Sequence, residues 1–246
     1  MPETIFITGA SSGIGRAVAL EMAGRGYGLA LAARRVDALE ELQEEIRTRD
    51  IAVPVATRAL DVTAYDRVFE VFGELADESG GIDIAFANAG IALGERVGRG
   101  EFARARQSVA VNLLGAMATI DAAAAYFLDK GGGHVVGVSS VAALRGMPKS
   151  SSYCASKAGI AVYLEALRAE ALRKNIHVTV LYPGYIDTPL NNMLPNRPFL
   201  ISVEKGSQII ADLIEKKAKS AFVPCWPWAL MGRLLKILPT RVIARM

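Results

Sequence analysis

The sequence has few residues of the kinds that bind metals or form disulfides. Its 246 residues include two cysteines, Cys154 and Cys225, and two histidines, His134 and His177. None of them lies at a spacing typical of a zinc site or a redox pair, so we expect no metal centre. Unpaired thiols favour a reducing compartment, and we expect a cytoplasmic protein. Both histidines begin predicted strands, which favours structural roles for them.

Signs of a secretory signal, of a C-terminal membrane span and of linkers are missing as well. The start Met-Pro-Glu-Thr has no basic region, so we expect no secretory signal. The apolar run from Ala221 to Leu238 is interrupted by Arg233 and Lys236 and is too short to span a bilayer. The net charge of +3 comes from scattered basic residues, which gives no support to a nucleic-acid partner. Without repeats or low-complexity stretches, residues 1–246 are expected to form one domain.

The residues that are present alternate between buried strands and amphipathic helices. Short apolar, β-branched runs predict strands at 4–8, 28–33, 52–59, 82–86, 134–138 and 176–181. Helical periodicity predicts helices from residue 16 and at 36–49, 64–78, 101–127 and 153–172. Regular βα alternation with crossovers of helix length predicts an α/β fold, a doubly wound parallel sheet of the Rossmann type.

The first predicted strand leads into a glycine-rich turn, Gly9-Ala-Ser-Ser-Gly13-Ile-Gly15, and then a helix. Such a turn lets the backbone approach a pyrophosphate at the helix N-terminus, although a tight turn without a ligand is the alternative. The second strand ends at Ala33, about 20 residues further on, where a dinucleotide fold reads the ribose. Arg34 and Arg35 follow instead of a carboxylate, which favours the 2′-phosphate of NADP(H) over NAD(H). The alternative is two solvated arginines at a helix start.

The stretch from Val138 to Lys157 contains the candidate acid and base groups. Tyr153 and Lys157 are four residues apart and therefore share one face of the predicted helix. The preceding strand ends in two hydroxyls, Ser139 and Ser140. A phenol, a cation that lowers the phenol's pKa and a hydroxyl donor can act on a carbonyl without a metal. Taken singly, each has a structural alternative, such as a core tyrosine or a solvated lysine.

In this order, the motifs resemble the short-chain dehydrogenase/reductase family over roughly residues 3–190. They are Thr8-Gly9-x-x-x-Gly13-x-Gly15, Asp61, Asn88-Ala89-Gly90, Asn112, Ser140, Tyr153-x-x-x-Lys157 and Pro183-Gly184-x-Ile186-x-Thr188. The sequence departs from the family at Ala87, where a second asparagine is frequent. It also lacks the C-terminal strand and Gly-Gly turn that build a tetramer interface in many relatives. The resemblance implies a homodimer or homotetramer.

The resemblance also implies an NADP(H)-dependent oxidoreductase that interconverts a carbonyl and an alcohol. Tyr153 would donate the proton, Ser140 would hydrogen bond the carbonyl oxygen, Lys157 would hold the nicotinamide ribose, and Asn112 would help to position a water. The cofactor would contact Tyr153, Lys157 and the following residues: Gly9, Ser11, Ser12, Gly13, Ile14, Gly15, Arg34, Arg35, Asp61, Val62, Asn88, Ala89, Gly90, Pro183, Gly184, Ile186 and Thr188. An epimerase or dehydratase on this fold, or a non-catalytic dinucleotide-binding sensor, are the alternatives.

Residues 221–246 predict an amphipathic helical extension that ends at Pro239. Its expected apolar face contains Met231, Leu234, Leu235 and Leu238, and its expected opposite face contains Ala229, Gly232, Arg233 and Lys236. We expect the helix to pack on its own domain, with a partner subunit or a membrane surface touched by 226–246 as alternatives. Its apolar face should border the substrate entrance after Thr188, which favours a lipophilic carbonyl substrate.

Overall fold

The computed structural model describes residues 2–244, so the last two residues of the predicted extension lie outside the described part of the chain. Seven parallel strands form one sheet in the order β3-β2-β1-β4-β5-β6-β7. They are β1 Thr4–Thr8, β2 Gly28–Ala33, β3 Val55–Ala59, β4 Ile84–Ala87, β5 Gly133–Val138, β6 Ile176–Pro183 and β7 Ser220–Val223. The winding reverses between β1 and β4, which confirms the predicted doubly wound sheet.

Helices connect the strands and cover both faces of the sheet. They are α1 Gly13–Gly24, α2 Val36–Thr48, α3 Tyr65–Glu78, α4 Phe102–Val109, α5 Ala116–Lys130, α6 Ser151–Glu170, α7 Val203–Glu215, α8 Cys225–Ile237 and α9 Thr240–Ile243. The first core cluster lies between the sheet and α3, α5 and α6. The second lies between the opposite face and α1, α2 and α7. Because the sheet is covered on both faces, β1 and β2 are buried along their whole length.

The long helix predicted at 101–127 is continuous from Phe102 to Lys130, but its central turn, Ala110–Gly115, is π-helical. The helix is long and apolar enough to cross a bilayer. However, its α5 part is buried against α3 and the sheet, and Phe127 is fully buried there. Burial in the protein core accounts for its apolar composition.

Three expectations about boundaries and faces are wrong. The third strand begins at Val55 rather than residue 52, since Pro54 has no backbone N–H to donate to a ladder. Helix α6 ends at Glu170, and Leu172, predicted on its apolar face, is 80% exposed beyond it. In α3, Tyr65 and Phe69 are partly exposed, so the buried face is narrower than its apolar sequence indicates.

The predicted helical extension 221–246 is only partly helical, because residues 221–223 belong to strand β7. Helix α8 begins at Cys225 and ends before Pro239, as expected, but its buried face is different. Trp228, Gly232 and Leu235 are buried, whereas Leu234 is exposed. Gly232 is buried because the side chains of Leu144 and Phe222 fill the space where its own would lie; a Cβ there would be 2.8 Å from Leu144 Cδ1. In the sequence, Gly232 interrupts the apolar periodicity and is therefore expected on the polar face. In the folded helix its lack of a side chain permits close contact with Leu144 and Phe222.

Candidate active site

The predicted site residues lie at the carboxyl edge of the sheet, where ligands bind in doubly wound folds. Each follows the end of a different strand, in the order Gly9 after β1, Arg34 after β2, Asp61 after β3, Asn88 after β4, Ser140 after β5 and Gly184 after β6. Asn112, Tyr153 and Lys157 reach the same edge from the π-helical turn and α6. The topology therefore brings together residues that are up to 175 positions apart, from Gly9 to Gly184.

The glycine turn after β1 has no room for side chains. Gly9 has φ +70°, and a Cβ on it would lie 2.9 Å from Ala89 Cα. A Cβ on Gly15 would lie 2.4 Å from Gly9 O and 2.5 Å from Asn88 Nδ2. Asn88 Nδ2 donates to Thr8 O at 3.0 Å and so ties the end of β4 to the end of β1.

This compact turn leaves the start of α1 open at the sheet edge. Ser12 is the N-cap residue of α1, and its side chain makes no capping hydrogen bond among the described residues. Gly13 has φ +55°, and a Cβ on it would contact Thr188 at 3.5 Å, so the segment after β6 lies against the turn. Open N–H groups at a helix N-terminus suit a pyrophosphate.

The two arginines after β2 point to different neighbours. Arg35 donates to Ser11 O at 3.3 Å and to Ser11 Oγ at 3.2 Å, which places it beside the glycine turn. Arg34 lines a cavity of about 290 Å³ together with Leu60, Asp61 and Arg67. Guanidinium groups therefore flank the predicted ribose position from both sides.

Asp61 is held in its ionised form in this cavity. Burial alone would raise its pKa, but hydrogen bonds from the Thr63 N–H and hydroxyl, at 3.0 and 2.8 Å, and the charge of Arg34 hold the pKa below its ordinary value. The neighbouring Val62 is 6% exposed and packs on the π-helical turn at Gly115. Asp61 thus presents a carboxylate to the predicted adenine position, while the Val62 side chain belongs to the core.

The two serines after β5 have different hydrogen-bond partners, and these partners show which serine lies beside Tyr153. Ser139 Oγ donates to the backbone oxygen of Lys157 at 2.7 Å and fixes α6 against β5. Ser140 Oγ accepts from Ala142 N at 3.1 Å, and it is also a hydrogen-bond partner of the Tyr153 hydroxyl. Ser140 is therefore the serine that faces the phenol, as the family pattern implies.

Tyr153 lies in the first turn of α6, and burial raises its pKa to about 12, although the hydrogen bond with Ser140 opposes this rise. Lys157 lies one turn further on, with Nζ 5.9 Å from the Tyr153 ring centre and 2.8 Å from Val138 O. Burial lowers the pKa of Lys157 to about 8. The expectation that the Tyr153 pKa is lowered is therefore wrong for the protein residues by themselves, because the burial of the phenol outweighs the hydrogen bond with Ser140.

Asn112 is fully buried in the π-helical turn. Its Oδ1 accepts from Ile91 N and its Nδ2 donates to Ile91 O, both at 2.8 Å. A Cβ on Gly90 would lie 3.3 Å from Asn112 Oδ1 and 3.5 Å from Lys157 Nζ, so the three residues meet. The amide holds the segment after β4 beside Lys157, and its part in positioning a water stays a prediction.

Glu95 is a site residue that the sequence reasoning missed. It is 4% exposed, and its Oε1 accepts from Ser151 Oγ at 2.7 Å and Ser152 N at 2.6 Å. Burial alone would raise its pKa, but these two donors hold the pKa below its ordinary value. Glu95 thus caps the N-terminus of α6 from a distant loop, immediately before Tyr153. Sequence rules for helix capping consider only residues next to the helix start, so they cannot identify a capping residue that is 57 positions away.

An aromatic wall, formed by Tyr185, Phe199 and Trp228, lies on the Tyr153 side of the edge. The Trp228 ring centre is 6.0 Å from that of Tyr185 and 5.7 Å from that of Phe199. Trp228 is 5% exposed and lies so close to Gly184 that a Cβ there would be 2.0 Å from Trp228 Nε1. The Tyr185 phenol is near enough to Tyr153 to raise its pKa further. Trp228 therefore places the start of the C-terminal helix against the segment that follows β6.

The larger cavity, about 320 Å³, lies at the opposite, amino edge of the sheet. It contains His134 and His177, whose structural role was expected. His134 is buried and its Nε2 lies 2.8 Å from Thr179 Oγ1. Among the described residues, no group of three or more His, Cys, Asp or Glu side chains could hold a metal ion.

Comparison with known proteins agrees with this geometry. The family model described as "short chain dehydrogenase" matches residues 3–197. An uncharacterised oxidoreductase of Mycobacterium tuberculosis is 41% identical over 244 residues, which covers 99% of this chain and 96% of that protein. An "NADP-dependent 3-hydroxy acid dehydrogenase" of Schizosaccharomyces pombe is 35% identical over 76% of this chain and 72% of its own length. An alcohol dehydrogenase from the archaeon Thermococcus sibiricus, solved in complex with 5-hydroxy-NADP, has a TM-score of 0.82 and 27% identity over 90% of this chain and 96% of that chain.

Proposed function

We propose that this chain, which belongs to the short-chain dehydrogenase family, is an NADP(H)-dependent enzyme that interconverts a lipophilic carbonyl compound and an alcohol. The observation that carries the proposal is the meeting of Ser140 and Tyr153 at the sheet edge, with Lys157 one turn behind. The bound nicotinamide would supply or accept the hydride, and the protein supplies the proton and the alignment.

Each side chain has a defined task in carbonyl reduction. Tyr153 is neutral at physiological pH, because its pKa is raised to about 12, and it therefore holds the proton that the carbonyl oxygen needs. Ser140 can turn its hydroxyl from Pro183 O, 3.4 Å away, to the same oxygen as negative charge develops there. Lys157, with a pKa lowered to about 8, is a cation at neutral pH in a nearly dry position. Its charge favours the phenolate that is left after proton transfer.

The glycine turn fits a dinucleotide, since Gly9 and Gly15, where a Cβ would clash with Ala89, Asn88 or the turn itself, keep the turn compact beside the open N-terminus of α1. Two observations support NADP(H) over NAD(H). The β2 end carries Arg34 and Arg35 where a carboxylate would bind a ribose hydroxyl, and Arg35 is already turned toward Ser11 of the pyrophosphate turn. One relative is NADP-dependent by name, and one similar structure holds an NADP derivative.

The aromatic wall supports a lipophilic substrate. Tyr185, Phe199 and Trp228 present ring surface on the side where the carbonyl must reach Tyr153. Phe199 is 49% exposed, so part of this surface remains open to an incoming ligand. Aromatic rings contribute large apolar contact area and favour ring or chain hydrocarbons over small polar alcohols.

We also propose a homodimer or homotetramer. Phe102, Leu114 and Val162 are 78%, 42% and 65% exposed on α4, the π-helical turn and α6. These helices are neighbours, and isolated apolar faces of this kind are typical of subunit interfaces.

The exposed free thiol of Cys225 favours a reducing compartment such as the cytoplasm.

The test is an assay of the purified chain with NADPH or NADH and a panel of ketones and aldehydes of increasing hydrocarbon size. We expect loss of absorbance at 340 nm (a property of the reduced nicotinamide) with NADPH, and kcat/KM values that increase with apolar size. An epimerase, a dehydratase or a binding sensor would leave the absorbance unchanged. Equal kcat/KM for NADPH and NADH would contradict the cofactor assignment.

A further inference from the structure

Helix α8 has a second apolar face that its own domain does not cover. The side chains of Leu230, Leu234 and Ile237 are 55%, 40% and 78% exposed. They lie on the side opposite Trp228, Gly232 and Leu235, because an offset of two residues on a helix is a rotation of about 200°. We name the exposed set, together with Trp226 at 73% exposure, the outer stripe.

The outer stripe cannot turn inward, since α8 is anchored along its length. Trp228 lies against Gly184 and Phe199, Gly232 lies between Leu144 and Phe222, and Leu235 is 3% exposed. At the far end, Arg145 Nη2 donates to Leu238 O at 3.4 Å. Short helix α9 follows, with Val242 partly exposed. A fixed helix therefore presents a row of large apolar side chains to its surroundings.

Cations of its own segment flank the outer stripe. After Glu215 the sequence contains no Asp or Glu. Of the seven Lys and Arg in residues 216–246, Arg233 and Lys236 lie on α8 and Arg241 lies on α9, whereas Lys216, Lys217 and Lys219 precede β7 toward the amino edge of the sheet. The whole chain has a net charge of +3, so the remaining residues are net negative and the basic residues are less scattered than a first inspection suggests. Within the part of the segment that the structure describes, no basic side chain forms an ion pair with another described residue.

We propose that the outer stripe binds the surface of a bilayer that contains anionic lipids. An interfacial helix places Trp and Leu side chains at the boundary between headgroups and acyl chains and Lys and Arg side chains near the lipid charge. Arg233 directly precedes Leu234 of the stripe on α8, and Arg241 follows on α9. The combination of apolar row and unpaired cations matches this chemistry.

A second copy of the chain is the competing occupant, and the charges disfavour it. In a symmetric dimer the same patch meets itself, so Arg233, Lys236 and Arg241 would face the same cations of the partner without an acidic residue of 216–246 between them. Like charges brought together at an interface are destabilising. The exposed apolar residues of α4 and α6 lie among residues of both signs, such as Glu101 and Arg104, which form an ion pair, and Glu165 and Arg168 on α6. They are the better interface between copies.

The test is co-sedimentation of the full chain with vesicles of phosphatidylcholine alone or with 30% phosphatidylserine, at low and at high salt. We expect binding to the anionic vesicles only, and weaker binding at high salt. Replacing Leu230 and Ile237 by Gln should abolish binding. Replacing Arg233 and Lys236 by Gln should weaken it by about fivefold per charge. These side chains are exposed, so the variants should keep the thermal midpoint and reductase activity of the parent protein.

The matched control is Leu172→Gln, which changes an equally exposed apolar side chain in the turn before β6 and should leave binding unchanged. Absence of binding to the anionic vesicles at low salt would overturn the proposal. Binding that Leu230→Gln/Ile237→Gln leaves intact would do the same. If that variant instead converts an oligomer to monomers in light scattering, and the parent chain does not bind vesicles, the stripe is a subunit interface. None of these outcomes depends on the proposed reaction.

Discussion

Gly184→Ala tests whether Trp228 of the C-terminal helix packs against the segment that follows β6. Gly184 follows β6 at the sheet edge, and an added methyl group would lie 2.0, 2.3 and 2.7 Å from three indole atoms of Trp228. Contacts below 3.0 Å cannot persist, so the indole must move outward by more than 1 Å, roughly the difference from an ordinary contact of 3.4–4.0 Å. Such overpacking costs about 1–3 kcal/mol. We expect the free energy of unfolding, measured by urea titration and circular dichroism, to fall by that amount.

A double-mutant cycle with Trp228→Ala identifies the cause. Trp228→Ala removes the ring that the methyl group would meet, at a cost of about 3–5 kcal/mol for the lost burial. In that background Gly184→Ala should cost little, so the two changes should differ from additivity by about 1–3 kcal/mol. The matched control is Gly73→Ala in the middle of α3, where a Cβ would meet nothing within 4 Å. That change should stabilise the protein by up to about 1 kcal/mol. Additive effects, or equal effects of Gly184→Ala and Gly73→Ala, would refute the contact.

Three further predictions concern the cofactor, the start of α6 and the pH profile. Ala33→Asp with Arg34→Gln should reverse the preference for NADPH in kcat/KM, since the carboxylate repels a 2′-phosphate; unchanged preference would refute the assignment. Glu95→Gln should lower the free energy of unfolding by about 1–2 kcal/mol at pH 7. Since the Glu95 pKa is lowered, this difference should vanish as the pH falls through that pKa, and a pH-independent difference would contradict the charged cap. Because the Tyr153 pKa is raised to about 12, alcohol oxidation, which needs the phenolate, should accelerate from pH 7 to pH 10, and a neutral optimum would contradict this.

The sequence predicted the sheet and the location of the site for a physical reason. Short β-branched runs separated by helical periodicity leave few topologies, and a doubly wound sheet places every strand end at one edge. Motifs such as Gly9 to Gly15 and Tyr153-x-x-x-Lys157 then meet there without further information. For these residues, local pattern and topology were sufficient.

Other features depend on distant contacts and could not be predicted in this way. The partner of Glu95 is the start of a helix more than fifty residues later. The buried face of α8 depends on Leu144 and Phe222, which fill the space beside Gly232. The direction of the Tyr153 pKa shift depends on how much water the surrounding residues exclude, which spacing along a helix does not reveal.

The most direct test of the proposed chemistry is the turnover of Tyr153→Phe beside that of Tyr163→Phe. Both change a tyrosine of α6, but only Tyr153 lies beside Ser140 and Lys157. With saturating NADPH and a ketone substrate at pH 7, Tyr153→Phe should lower kcat by about 10²–10⁴-fold, because the proton donor is lost. NADPH affinity should change little, and Tyr163→Phe should keep the parent rate. Near-parental turnover of Tyr153→Phe, with NADPH still bound, would contradict the assignment of Tyr153 as the acid.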